Sequence, residues 1–521
     1  MMPPDTRVGQ RFLLLPMPPT PNGRLHLGHA AGPYLRADVL ARHLRRRGAS
    51  VRVSSGTDPY ENWVLLDGLK SGRTPAETCD HFYACIQSDL HALDIACDDF
   101  VNPLAAPHAA PYNAVHGRLL DDLRACGQAV LVDELFPVSQ QTGRCLVGVW
   151  LFGRCPNCDR DTYGNACEAC GYHYQPSEIV EPRGRICEGP VAWEEQPCWF
   201  LKPPPAGELL DGVGRYPLDG LICSTVRTYI GRTGGRTRLS LPETWGIHLP
   251  ALPAGTVASN SYYAYCLYLA SLGCASGTWG ALQRDSGVRT VAFFGIDNAI
   301  AGVVTPVALA HAHGDLKPFD HVVVNHFMNL ERKKFSTSRN HAVWVGALLG
   351  SGTVCSDEMR LQLALCCPET KESDLSIDQL VVDLNRTRTV LHGGISAALH
   401  SNDDPQAATQ LHAVLRAALE RQDDALRPER LSITDGARVL LEWLDLGRDA
   451  TVRAGRAWLQ GVAELGAPYI PGVSAALEAH LQGVPDPGRS GKDCGRALCI
   501  WPGPAPALTR DALAPFIHMG Y

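Results

Sequence analysis

The sequence predicts an α/β protein: a parallel-sheet domain interrupted by a cysteine-rich insertion and followed by an all-helical C-terminal region. Three observations carry this. Apolar runs lead into helical patterns through Gly/Pro-broken turns near Phe12 and again near Val291; two CxxC pairs stand between those crossings; and beyond Leu380 the apolar spacing is helical throughout.

The first crossing is RFLLLPMPPTPNGRLHLGH, from Arg11 to His29. Residues 12–15 read as a buried parallel strand, 16–23 are too rich in Pro and Gly for regular structure, and 27–47 read as a helix ended by Gly48. Strand, loop and helix in this order suit a nucleotide site, because a helix N-terminus leaves amide groups free for phosphate oxygens. His26 and His29, three apart, project from one face there and can donate to charge developing on a phosphate.

Composition limits the alternatives. A chain of 521 residues, 45% apolar and 19% charged, is long enough for roughly two to four domains with sizeable cores. The formal charge of −7 argues against a generally basic nucleic-acid coat and against DNA as a partner, so any RNA contact must be local. No segment approaches the roughly 20 apolar residues of a membrane helix, and the LLLP run is too short for a signal peptide. A cytoplasmic protein without membrane contact is expected. Of 19 cysteines, all but four are scattered without framework spacing and are expected to be mostly reduced.

Residues 51–55 form a second predicted strand, leading into SGTDPYEN. Asp58 at its carboxyl end would face the crevice of an open α/β sheet, where it could hold an ammonium group, or else it is a turn residue. Helical patterns fill 76–93 and 112–126, and strand-like runs AVLVDELFPV and CLVGVWLFG follow. CPNCDRDTYGNACEACG then places Cys155, Cys158, Cys167 and Cys170 as two CxxC pairs with eight residues between them. Thiolates at this spacing fit a closed tetrahedral Zn²⁺ knuckle, structural rather than catalytic; free thiols or two disulfides are the alternative.

The string PNGRLHLGH, followed by ADVLARHLRRRG, resembles the HIGH signature of class I aminoacyl-tRNA synthetases of the methionyl branch. The resemblance implies a Rossmann-type (HUP-like) catalytic domain with a zinc-knuckle insertion and a C-terminal α-helical bundle. The implied boundaries are 1–110 and 237–330 for the two catalytic halves, 111–236 for the insertion with its knuckle at 155–170, 331–384 for a signature loop and stem-contact region, and 385–521 for the bundle. It also implies that His26 and His29 bind ATP phosphates, with Asn22, Gly23 and Gly28 beside them, and that Asp58 holds the substrate ammonium.

Later motifs extend the resemblance. VAFFGIDNAIAGVVTP supplies Gly295 and Asp297 where the family approaches the ATP ribose. KFSTS resembles the family's mobile KMSKS loop: Lys334 takes the first lysine, Lys333 and Arg339 flank it, and Ser336 is retained. Thr337 replaces the second lysine, so a hydroxyl stands where a charge is usual, which bears on the rate of activation. The amino-acid end departs further. The family's WLDAPIGY reads ASNSYYAY here, which puts Ala258 at the pocket Trp and Asn260 at its Asp while keeping Tyr265. Ala301 and Gly302 replace an aromatic residue and a His, and Pro18 and Thr20 also differ; Met17 completes the expected pocket. Either the pocket is enlarged or another segment fills it.

Beyond Leu380 the resemblance thins. Asn385 matches one residue of the family's anticodon-domain pattern, Trp443 and Trp458 read as core, and 485–506 reads as coil. The implied activity is ATP-dependent formation of aminoacyl-AMP and transfer to tRNA by a monomer, using ATP, Mg²⁺ and structural Zn²⁺. Two other readings stay open. One is a ligase that passes the adenylate to a small-molecule acceptor or serves specialised metabolism; the other is a catalytically silent paralogue that binds tRNA or an amino acid. The amino acid activated is not legible.

Overall fold

The computed structural model describes residues 7–520 apart from 168, 187–188, 260, 274–276, 338, 402, 451–452 and 484–506. Its centre is a five-stranded parallel sheet in the order His321–Asn325, Val288–Gly295, Arg11–Pro16, Ser50–Gly56, Asp99–Val101. Strands from the start of the chain and from beyond residue 288 thus lie side by side, and Arg11–Pro16 is the middle strand. Its side chains alternate between two apolar cores: Phe12 and Leu14 join the one shared with the C-terminal helices, Leu13 and Leu15 the one on the opposite face.

The expected helix over 27–47 is present but broken. Leu27–His29 and Leu35–Arg46 are α-helical and Ala30–Tyr34 is a π turn, with Gly32 at φ −75°, ψ −112°. Pro33 has no N–H to give and the Gly32 backbone leaves the helical region, so the hydrogen-bond ladder slips there. The crossing after Val288–Gly295 repeats the device: a π turn at Ile300–Val304 precedes the helix Thr305–His313.

Between these crossings runs the insertion. Ala129–Ser139 pairs antiparallel with Val191–Leu201, and Leu151–Arg154 pairs with Asp161–Tyr163 and Val180–Gly184. The run CLVGVWLFG is only partly strand: Gly148 adopts φ +53° and starts a 3₁₀ turn over Gly148–Trp150. The insertion is tied to the sheet domain by Asn62, whose amide donates to Val147 O and Glu243 and accepts from Val149 N. The buried Trp150 indole donates to the same Glu243 carboxylate.

Five helices follow, Ile377–Leu399, Pro405–Ala425, Ile433–Ala450, Gly455–Gly466 and Pro471–Leu481. Trp443 and Trp458 are core, as the sequence reading expects, and each indole N–H donates to the other's backbone carbonyl. The bundle is fixed to the sheet domain by Arg360, which is fully buried. Its guanidinium donates to Asp38 and to the carbonyls of Leu93, Pro468 and Tyr469, so no nitrogen of the buried cation lacks an acceptor. Residues 485–506 lie outside the described part of the chain. Beyond them the chain returns to the sheet domain: Ile517–His518 pairs antiparallel with Ala342–Val343, which the sequence does not foretell. No described helix is long and apolar enough to cross a membrane.

Candidate active site

The site lies at the carboxyl ends of the central strands. His26 caps the short helix Leu27–His29: its Nδ1 accepts from His29 N at 3.1 Å. An accepting Nδ1 leaves Nε2 as the protonated, donating nitrogen of a neutral ring. The His29 ring stacks on it, centroids 3.7 Å apart and 12° from parallel. Burial, then His29, hold the His26 pKa well below its usual value. His29 is lowered to about 4 by loss of hydration and by the Lys334 ammonium; its outer edge stays open to the cleft, so water offsets part of that shift. Both rings are therefore neutral N–H donors near pH 7.

The signature loop closes on this pair. Phe335 stacks on His26 at 4.9 Å, and beyond the loop Trp344 bridges His26 while Val345 N donates to Leu25 O at 3.1 Å. A Cβ on Gly23 would stand 2.5 Å from Thr337 Cγ2, and one on Gly28 would meet both the His26 and Phe335 rings at 3.2–3.3 Å. Lys334 sits in a short strand paired with Asn329, its ammonium 3.8 Å from the Phe327 ring centroid. Lys333 is exposed beside it, and Ser336 exchanges backbone hydrogen bonds with His341. Asn22 contacts Asp67 through its side chain.

Asp297 is exposed in the turn after Val288–Gly295, its Oδ1 2.5 Å from where a Cβ on Gly295 would be. Asp58 is half-buried; its backbone N donates to Pro19 O at 2.9 Å, and its carboxylate acts on Tyr265, whose hydroxyl donates to Thr57 O at 3.0 Å. Met17 N donates to Phe293 O at 2.9 Å, which places Met17 at the end of the middle strand. Ala258 is buried and Ala301 half-buried. At Gly302 a Cβ would lie 2.3–2.6 Å from the Phe294 ring. Asn260 falls outside the described residues.

Sequence reasoning missed Asn325. It ends the strand His321–Asn325 and is 8% exposed; its Nδ2 donates to His326 O, while its buried Oδ1 has no hydrogen-bond partner among the described residues. The side chain fills the notch at Gly32, which is why the first helix needs a glycine there. A polar residue at the carboxyl end of a parallel strand was the available signal.

In the insertion the four cysteine sulfurs lie within 4.8 Å of one another, with Cys155–Cys170 and Cys158–Cys167 both at 3.7 Å. Four thiolates about 2.3 Å from a central Zn²⁺ at tetrahedral angles would be about 3.8 Å apart, so the geometry fits. The two halves are alike: Cys155 N donates to Arg160 O and Cys167 N to Tyr172 O, and Asp159 and Gly171 both take positive φ after the second thiol.

A sequence model described as tRNA synthetases class I (M) matches residues 16–390. The methionine–tRNA ligase of Christiangramia forsetii is 27% identical over 386 residues, 70% of this chain and 54% of the relative. That of Rubrobacter xylanophilus is 29% identical over 396 residues, 69% of this chain and 66% of the relative. The chain thus spans about half the length of several curated relatives it matches. In fold it is similar to Mycobacterium tuberculosis methionyl-tRNA synthetase in complex with methionyl-adenylate: TM-score 0.69, 17% identity, 96% of this chain and 99% of the other. With the stacked histidines, the lysine-bearing loop and a family match over most of its length, this chain belongs to the class I tRNA synthetases of the methionyl group.

Proposed function

We propose that the chain activates an amino acid with ATP and passes the aminoacyl group to a tRNA. One observation carries the reading: the imidazole pair and the Lys334 loop meet at the ends of the same parallel strands. The amino-acid carboxylate attacks the α-phosphorus, the bond to the bridging oxygen breaks, and pyrophosphate leaves with the electron pair. His26 and His29, as neutral donors, stabilise the charge that builds on the phosphate oxygens. Lys334, with Lys333 and Ser336, offsets charge on the leaving group, beside Mg²⁺ carried by the nucleotide. Asn22, Gly23 and Gly28 stand beside the triphosphate, the two glycines letting Thr337 and Phe335 pack close to it, and Gly295 with Asp297 takes the ribose hydroxyls. Asp58 holds the ammonium group, and Met17, Ala258, Tyr265 and Ala301 border the side-chain space. A tRNA 3′-terminal hydroxyl then attacks the acyl carbon and AMP departs.

In this reading 1–110 and 237–330 are the catalytic halves, 111–236 is an insertion stabilised by Zn²⁺ on the four cysteines, 331–384 is the loop and stem-contact region, and 385–521 faces tRNA. A second reading keeps the adenylate and gives it to a small-molecule acceptor. It is motivated by Ala258, Ala301 and Gly302, the positions that depart from the family pattern the sequence resembles. Amino-acid-dependent pyrophosphate exchange across a panel of amino acids, run beside tRNA charging, tests both. Exchange with charging supports the first; exchange without charging of any tRNA selects the second; no exchange with any amino acid overturns both.

A further inference from the structure

The far C-terminal segment and the signature loop are built as one unit. The stretch that follows the loop is sandwiched: on one side Trp344 and Val345 bond to His26 and Leu25, and on the other Val343 and Ala342 pair with Ile517 and His518. At the loop itself, Gly520 packs so tightly on the backbone of Arg339 and Asn340 that any Cβ there would overlap the Arg339 carbonyl. The rest of the segment is anchored away from the loop. Asn385 makes a two-way clamp on Leu508, its Nδ2 donating to Leu508 O at 2.9 Å and its Oδ1 accepting from Leu508 N at 2.7 Å. Arg510 is ion-paired with Asp378, Leu508 and Leu513 are buried in the core shared with the bundle, and Ile517 packs against that core.

We infer that residues 507–520 are a clasp that sets the position of residues 335–337 and 339–341 over His26 and His29, so that Gly520, Ile517 and Asn385 are positioning residues for the activation step. The physical ground is the asymmetry of the anchoring. Among the described residues, the loop meets the site through the Phe335 ring stack, the Thr337 methyl against Gly23 and the Lys334 charge. A backbone ladder and a glycine contact from a separately anchored segment make opening costlier, because they must break or the anchors must yield. The clasp also runs to Asn385 on the first bundle helix, so a displacement of that helix pulls on the same ladder.

This inference rests on the proposed activation reaction, and the test separates the two. In the full-length chain, Gly520→Val leaves every anchor intact and disrupts the contact with the loop; Asn385→Ala releases the clasp from its far end. Each is expected to lower kcat for amino-acid-dependent pyrophosphate exchange about tenfold with the amino-acid KM unchanged, since the loop acts on the leaving group. Each is also expected to speed tryptic cleavage at Lys333, Lys334 and Arg339 about tenfold with no shift in the unfolding midpoint. An unchanged kcat in both variants overturns the clasp whatever the proteolysis shows. If the parent chain has no exchange activity with any amino acid, the function reading fails and the cleavage rate decides the clasp alone: unchanged cleavage in both variants overturns it, and faster cleavage sustains it. If Gly520→Val loses cooperative unfolding, Ile517→Thr replaces it and the same outcomes apply.

Discussion

Thr337 and Gly23 are fitted to each other: the threonine Cγ2 occupies space 2.5 Å from where a side chain on residue 23 would begin. The two positions are more than three hundred residues apart in sequence, and each belongs to one of the two signatures. Gly23 therefore matters for the loop as much as for a nucleotide. Gly23→Ala is expected to push the loop outward and lower kcat for pyrophosphate exchange about tenfold, and adding Thr337→Ser, which removes the colliding methyl, should recover most of the loss. Independent, additive losses in a double-mutant cycle would show that the contact does not hold the loop.

The histidine pair separates capping from donation. His26→Asn keeps an acceptor near the His29 amide and loses the Nε2 donor, whereas His29→Ala removes a ring that caps nothing. If both act on phosphate charge, each is expected to cost on the order of a hundredfold in kcat, about 3 kcal/mol, with little change in unfolding free energy. Steady-state exchange and urea unfolding of the same preparations check this; a loss of stability that accounts for the lost rate would make the pair structural.

Much of this was legible from residues alone, and what was not has a common cause. The strands at 12–15 and 51–55 announce themselves as short apolar runs and the knuckle by its spacing, both local signals. The close approach at Gly32 involves Asn325, that at Gly302 involves Phe294, and the clasp needs Asn385 to reach Leu508. Each is a contact between distant segments that no periodicity encodes. The lone glycines marked where such contacts occur without naming the partner.

His43 gives the protein an acid limit. It is buried at 4% exposure on the helix Leu35–Arg46 with Nε2 3.5 Å from the Asp423 carboxylate, yet burial, then the charges of Arg47, Arg7 and Arg46, lower its pKa to about 3. The unfolded chain takes up a proton below about pH 6.5 while the folded chain does not until about pH 3, so stability falls as pH drops through that window. Between pH 7 and pH 5 the parent is expected to lose about 2 kcal/mol more than His43→Gln in urea unfolding. Equal losses would place the acid sensitivity elsewhere, for instance at His26.

The knuckle makes a separate prediction. One equivalent of zinc is expected per chain, and Cys158→Ser should lose it, because three thiolates and a hydroxyl no longer match the closed site. The damage is expected to stay within the insertion, with protease sensitivity rising between residues 140 and 190, since Asn62 and Glu243 hold its base. A variant that keeps full zinc content would refute the four-thiolate assignment.

Gly302 and Phe294 decide whether the side-chain space is open. The Phe294 ring lies 2.3–2.6 Å from where a Cβ on Gly302 would be, so the strand Val288–Gly295 takes the room a side chain there would need. Gly302→Ala is expected to cost about 1–3 kcal/mol, because a methyl group cannot enter without moving a fully buried ring. Phe294→Leu alone should cost a comparable amount by leaving a gap, yet the pair together should be more stable than the sum predicts, since the smaller side chain frees the volume that the methyl takes. The same double variant, screened by pyrophosphate exchange over a panel of amino acids, reports on selectivity: a changed preference puts Phe294 on the wall of the substrate pocket, and an unchanged one makes it core packing behind that wall.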